Sequence, residues 1–284
     1  MRRQQRRRLD QALVGRGLAC SPEHAVELMQ ANRVLVDGAI ADNAGRMVAS
    51  SQALEVKAPP PQFVSRAGEK LAVGLNEFGI DPAGYRCVDV GSSTGGFTDC
   101  LLQRGAAEVW AVDVGTHQLH ERIRADERVV VKEQTDIRSL GCASVGDRFD
   151  LVVVDVSFVS VGAVFEALVG LAKPDAPIVV LVKPQFEVSR KEASQGKGVI
   201  TDAGLWERVL NEVVAVAAES GRNLAGLVVS PITGAKGNVE FVTCWVHKPS
   251  SLDTVGDSCL SSSGRQQTAE LIHQVVTEAE ARVS

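Results

Sequence analysis

A run of glycines between two short apolar strands restricts this chain more than any other stretch. Cys87-Val-Asp89-Val is followed by Gly91-Ser92-Ser93-Thr94-Gly95-Gly96-Phe97, and then by apolar residues at helical spacing, Phe97, Leu101 and Leu102. Strand, glycine turn and helix in that order make the first β-turn-α unit of a doubly wound sheet. Glycine accepts backbone angles closed to other residues and leaves room for a ligand against the chain, so the cofactor edge is expected here. A second strand, Val109 to Val112, ends in Asp113, twenty-two residues after Gly91, where a carboxylate can hold ribose hydroxyls.

A dinucleotide site needs Gly-x-Gly-x-x-Gly. The register from Gly91 puts Ser93 where the second glycine would admit a pyrophosphate, which disfavours a nicotinamide cofactor. The order Asp89-x-Gly91-x-x-x-Gly95-Gly96-Phe97 instead resembles motif I of methyltransferases that use S-adenosylmethionine, a cofactor without a pyrophosphate. Further α/β alternation follows. Val129 to Val131 forms a third strand with Asp136 and Ile137 just beyond its carboxyl end, and Leu151 to Val154 and Ile178 to Val182 are wholly apolar, as central parallel strands must be. Helices are expected from Ser65, as cap, to Phe78, from Gly162 to Ala172 and from Leu205 to Ala218. Leu224 to Val229 and Val239 to Val246 are the last strands, and the glycine-bearing segment up to Gly198 reads as a mobile loop.

Charge is segregated. The net charge is −5, yet residues 1–8 hold five arginines and no acid, leaving −10 on the rest, the asymmetry of a chain with one end on a polyanion. Behind the arginines, Leu9, Leu13 and Leu18 and then Ala25, Leu28 and Met29 trace two short helices, the second capped by Ser21 with Pro22 in its first turn. Arg33-Val-Leu-Val-Asp-Gly then reads as a strand entering an Asp-Gly hairpin. This order resembles the S4 RNA-binding domain over residues 8 to about 56. The likeness implies RNA contact through Arg8, Arg16 and Arg33, joined by Arg2, Arg3, Arg6 and Arg7 of the head and by Arg66.

Four charges sit where elements end or turn: Lys70, Asp155, Lys183 and Glu240. Asp155 and Lys183 directly follow all-apolar strands, where side chains face the ligand crevice of an open sheet. Singly each is a surface ion pair; together beside the glycine turn they suggest chemistry. Val-Ser65-Arg66-Ala-Gly-x-Lys70, Asp155-x-Ser-Phe-x-Ser160, Lys183-Pro-Gln-Phe-Glu187 and Ser230-Pro-x-x-Gly-x-x-Gly-Asn-x-Glu240 resemble the TlyA (hemolysin A) family from about Arg8 to His247. The family joins an S4 domain to an FtsJ-like methyltransferase. Membership implies a Rossmann-like α/β domain with a mostly parallel seven-stranded sheet behind a small α+β module, and 2'-O-methylation of ribose in ribosomal RNA by a Lys-Asp-Lys-Glu tetrad matched by Lys70, Asp155, Lys183 and Glu240. It also implies S-adenosylmethionine held by Asp89, Gly91, Ser92, Ser93, Thr94, Gly95, Gly96, Phe97, Asp113, Val114, Asp136, Ile137 and Asp155. Two departures stand out. Pro61-Gln-Phe-Val64 replaces the Arg-x-Trp-Val seen in the linker of some relatives, and Asp136 stands where some have asparagine, although an acid there can still accept from an adenine amino group.

The expected division is an S4-like domain at 1–57, a proline-rich linker at 58–62, the methyltransferase domain at 63–248 and a tail at 249–284, loosely docked or disordered, with an amphipathic candidate from Gln266 to Arg282. No apolar run nears the roughly 20 residues that cross a bilayer, so no integral membrane association is expected. Six scattered cysteines suggest neither a metal site nor a disulfide framework and favour the reducing cytoplasm. The partner is then ribosomal RNA or a ribosomal subunit, met by a monomer. Alternatives are a non-catalytic RNA-binding assembly factor and a membrane-active hemolysin-like protein.

Overall fold

The computed structural model describes residues 6–58, 61–247 and 262–283. Arg2 and Arg3, residues 59 and 60 of the expected linker, residue 248 of the expected methyltransferase domain, and 249–261 and 284 of the tail lie outside the described residues. Two compact units divide the chain, Met1–Pro61 and Gln62–Ser284.

In the first unit, β1 (Arg6–Arg8) leads into α1 (Leu9–Gly15), α2 (Pro22–Gln30), β2 (Val34–Val36), β3 (Ala39–Ile40), β4 (Met47–Ala49) and β5 (Leu54–Val56). The Ser21 hydroxyl accepts from the His24 amide at 3.2 Å, capping α2 as its sequence foretells. Between β2 and β3, Asp37 and Gly38 take φ of 52° and 81°, the two positive values that a two-residue primed turn requires. Strands β3, β2 and β5 form one sheet and β1 pairs antiparallel with β4. Leu9, Leu13, Leu28, Met29, Val34 and Val48 fill the core between helices and strands.

The second unit is an α/β sandwich. It runs α3 (Ala67–Glu77), β6 (Arg86–Val90), α4 (Gly96–Gln103), β7 (Glu108–Val112), α5 (Glu121–Arg124), β8 (Val129–Lys132), α6 (Cys142–Val145), β9 (Leu151–Val154), α7 (Phe165–Leu171), β10 (Ile178–Val182), α8 (Pro184–Glu187), α9 (Arg190–Gln195), α10 (Ala203–Glu219), β11 (Arg222–Val229), β12 (Phe241–His247) and α11 (Ser262–Val283). The seven strands lie in the order β11-β12-β10-β9-β6-β7-β8. Neighbours from β10 to β8 are parallel, and β12 runs antiparallel to β10 and β11. Alternate residues of the central strands enter separate cores: Val88, Val152 and Val180 on one face, Cys87, Leu151, Val153 and Val179 on the other. Burial on both faces is why these strands are apolar throughout. Chain order reverses at β6, between β9 and β7, so the crevice beyond the carboxyl ends of β6 and β9 is where such a sheet takes a ligand.

Two local expectations are revised and a third is narrowed. Helix α3 begins at Ala67 without a side-chain cap, and Ser65 is not its cap. Instead the Ser65 hydroxyl packs on the glycine turn, where a β-carbon at Gly96 would come within 2.1 Å of it. The segment before Gly198 contains α9, closed by a capping box in which the Ser189 hydroxyl accepts from the Glu192 amide and Glu192 accepts from the Ser189 amide. The tail ends in a docked helix: Ile272, Val275, Val276 and Ala279, at the spacing of one helical face, are buried in the core shared with α10.

Candidate active site

The glycine turn is built by its neighbours. Gly91 has a φ of 82°, and a β-carbon there would lie 2.6 Å from the Asp155 carbonyl oxygen, so the exits of β6 and β9 can cross only at glycine. Asp113, at the end of β7, ties the turn down: its Oδ2 accepts from the Ser93 amide at 2.8 Å and its Oδ1 from the Gly115 amide at 2.7 Å. Gly95 and Gly96 face protein, the first toward Leu119 and Ile123 and the second toward Ser65. Beneath the turn Asp89 is fully buried, its Oδ2 accepting from the Thr98 amide at 2.9 Å and the Thr98 hydroxyl at 2.6 Å. Burial pushes the Asp89 carboxyl up to about 7, against the Thr98 hydrogen bonds and with the help of the nearby Asp155 and Asp113 charges.

Two cavities adjoin at the turn and share Gly91, Ser93 and Asp155. The larger, about 500 Å³, is walled by Asp113, Val114, Asp136, Ile137 and Arg138. Val114 is 73% exposed there, an open apolar face beside a carboxylate. The other, about 400 Å³, is walled by Ser65, Arg66, Lys70, Ser92, Thr94 and Phe97. Of the cofactor residues read from the sequence, Asp89, Gly95 and Gly96 line neither cavity and shape the turn from behind. Asp136 is in the wall, but Arg138 grips its carboxylate through Nε at 3.0 Å and Nη2 at 2.5 Å, and that bonding lowers the Asp136 carboxyl to about 2.

The four charges meet as two pairs. Lys70 Nζ is 2.5 Å from Glu240 Oε2, both buried, and Lys183 Nζ is 2.5 Å from Asp155 Oδ1. Lys70 comes from the first turns of α3, Asp155 and Lys183 from the carboxyl ends of β9 and β10, and Glu240 from the entry to β12. A β-carbon on Gly234 would fall 2.0 Å from Glu240 Oε1, so this glycine lets its loop close over the acid. Gln185 Nε2 donates to the same oxygen at 3.3 Å, and Lys183 Nζ donates to Ser157 Oγ at 2.9 Å. With opposite charges matched, burial is affordable; removing one member strands its partner in a dry site. Lys70 and Asp155 line the smaller cavity together.

Sequence reading missed the neutral partners Ser157 and Gln185, and it missed Phe158, which is 91% exposed with a φ of 66° at the wall of the larger cavity. The Asp155-x-Ser-Phe spacing was its only signal. The buried cysteines are held as neutral thiols, since burial pushes Cys87 up to about 12 and Cys100 and Cys244 to about 11. Of the arginines assigned to RNA, Arg66 lines the smaller cavity. Within the first unit Arg6, Arg7 and Arg8 are exposed, Arg8 pairing with Asp10 at 2.7 Å. Arg16 and Arg33 are staples there, donating to the Gln52 carbonyl at 2.7 Å and the Lys57 carbonyl at 2.8 Å.

Comparison with known proteins matches residues 63–247 to the FtsJ-like methyltransferase family and residues 7–53 to the S4 domain. The chain is 44% identical over 274 residues, 96% of its own length and 98% of the relative's, to the 16S/23S rRNA (cytidine-2'-O)-methyltransferase TlyA of Mycobacterium tuberculosis. It is 36% identical to Hemolysin A of Brachyspira hyodysenteriae, over 84% of this chain and 99% of that one. A solved structure described as a candidate hemolysin, from Streptococcus thermophilus, superposes with a TM-score of 0.69 at 32% identity, covering 98% of each chain.

Proposed function

The chain belongs to the FtsJ-like methyltransferase family, and from that premise we propose that it moves a methyl group from S-adenosylmethionine to a ribose 2'-hydroxyl of ribosomal RNA. One observation carries the choice of acceptor: two lysine–carboxylate pairs, Lys183–Asp155 and Lys70–Glu240, gathered beside the glycine turn. The rRNA substrate is supported by the relative's activity and by the S4 domain.

The residues present fit the cofactor. Gly91 lines both cavities where the exits of β6 and β9 cross, Asp113 would take the cofactor's ribose hydroxyls, and Val114 and Ile137 would cover the faces of its adenine. When bound, it supplies a methyl group on a positively charged sulfur. A ribose hydroxyl is a weak nucleophile and must shed its proton as it attacks. Lys183 is the group assigned to that oxygen. Lys183 lies 2.5 Å from Asp155, so the pair works as a unit: Lys183 hands a proton to Asp155 Oδ1 as it takes the one leaving the hydroxyl, and Asp155 then releases a proton to water. Lys70 lines the smaller cavity, and Glu240 matches its charge. Phe158, exposed beside the larger cavity, offers a flat ring for a base turned out of its stack.

The test is transfer of labelled methyl to ribosomal RNA followed by mass spectrometry of the nucleosides. Lys183→Ala is expected to lose at least about 100-fold in turnover while calorimetry finds cofactor affinity within about threefold of the wild type. Methyl on a base, or full turnover without Lys183, overturns this reading. The hemolysin names describe the relatives; no described helix of this chain is long and apolar enough to cross a membrane.

A further inference from the structure

One half-buried acid near the site has no part in the chemistry above. Glu187 ends α8, four residues after Lys183, and its carboxylate reaches across to the segment that follows β9. Its Oε2 accepts from the Ser160 hydroxyl at 2.6 Å and its Oε1 from the Val161 amide at 2.9 Å. Burial raises the Glu187 carboxyl above its usual range, with the Ser160 and Val161 hydrogen bonds opposing and Glu212 adding to the rise.

These bonds complete a frame. The turn from Asp155 to Ser160 is tied at its start by Lys183, which holds both Asp155 and Ser157, and at its end by Glu187. Midway, the Phe158 ring meets the Phe186 ring at a centroid distance of 4.9 Å. Phe158 itself has a φ of 66° and is 91% exposed. A bulky L-residue holds a left-handed backbone only where its surroundings enforce it, and an exposed ring gains little burial to offset that strain. Enforcement has to come from the two ends of the turn, and only the Glu187 end is free of the catalytic pairs.

We propose that Glu187 is a positioning residue that clamps the 155–160 turn, so that Phe158 stands ready to seat the target base and Ser157 stays on Lys183. The inference rests on the ribose-methylation reading above. Glu187 itself lines neither cavity, but the turn it clamps gives Asp155 to Val159 to the wall of the larger one, so its loss should act more on RNA than on the cofactor. Glutamine can serve in its place: its carbonyl oxygen accepts from the Val161 amide and its amide donates to the Ser160 oxygen, whose own hydrogen is free to turn away.

The experiment compares wild type, Glu187→Ala and Glu187→Gln in steady-state methyl transfer to ribosomal subunits from cells lacking the protein, with cofactor affinity measured separately by calorimetry. Alanine is expected to raise the KM for RNA about tenfold or more with cofactor affinity changed less than about twofold; glutamine should return KM to within about threefold of the wild type. Should the alanine variant fail to fold, Ser160→Ala removes one of the two bonds and is expected to raise KM about threefold. An unchanged KM in the folded variant, a parallel loss of cofactor affinity, or a glutamine variant as impaired as alanine overturns the clamp. Absence of transfer by the wild type overturns the underlying reading, and this inference with it; transfer by the wild type with an unaffected variant overturns this inference alone.

Discussion

Asp89 shows how a residue beneath a site can set its pH response. The carboxyl stands near 7 in the fold against 3.8 for an ordinary aspartate, so between those values the folded chain holds a proton that the unfolded chain has lost. Stability from this group is therefore fully present below about 4 and is lost as pH rises through 7. Asp89→Asn removes the titration. Relative to that variant, the wild type is expected to lose about 2 kcal/mol between pH 5 and pH 8, read as a falling urea midpoint followed by tryptophan fluorescence. All three tryptophans lie in the second unit, which makes the signal specific to it. Parallel midpoints for the two proteins would mean that Asp89 is ionised throughout. The sequence marked Asp89 as a cofactor contact by its place in the motif, and burial under the turn was beyond its reach. Lys70 was singled out by the family resemblance, whereas its pairing was not: a lone lysine in a helix looks solvated until Glu240, distant by 170 positions, is folded against it. Ser157, Gln185 and Glu187 left still less trace, because hydrogen bonding between separate loops has no period.

Elements with a strong period were legible, and those that depend on docking were not. Strands β9 and β10 could be read because burial on both faces leaves an unbroken apolar run. The turn after β6 was legible because glycine there is a backbone requirement. Helix α9 was overlooked although Ser189 and Glu192 stand at capping-box spacing, since its six residues bury none of their side chains and show no apolar face. Helix α11 was half seen. Its polar composition hid a narrow stripe of Ile272, Val275, Val276 and Ala279, which closes the core over α10 and β11. Ile272 is wholly buried, so Ile272→Ala is expected to cost about 2 to 4 kcal/mol, seen as a lower urea midpoint in the same fluorescence measurement. A midpoint unchanged within error would show that α11 is undocked in solution.

At the scale of the molecule, the sign of the net charge is a poor guide and its distribution a better one. The chain is acidic overall, yet β1 presents Arg6, Arg7 and Arg8 on an exposed edge of the first unit. The structure separates these arginines by what already occupies them. Arg8 is partnered by Asp10, and Arg16 holds the carbonyls of Ala49, Ser50 and Gln52, so replacing either disturbs the fold of the unit as well as its surface. Arg6 and Arg7 have no carboxylate at ion-pair distance among the described residues, which leaves them available to phosphates. An arginine that neutralises a phosphate releases a counterion, and each phosphate left without its arginine reduces the slope of log affinity against log salt by roughly 0.7 to 0.9. Replacing Arg6 and Arg7 together by glutamine is thus expected to weaken RNA binding at low salt and to flatten the slope by roughly 1.5, with the thermal midpoint of the chain unmoved. Arg16→Ala, in contrast, is expected to lower that midpoint because three carbonyls lose their donor. An undiminished salt slope in the double variant would place the RNA-binding surface away from β1, and the charge asymmetry at the start of the chain would then need another polyanion to explain it.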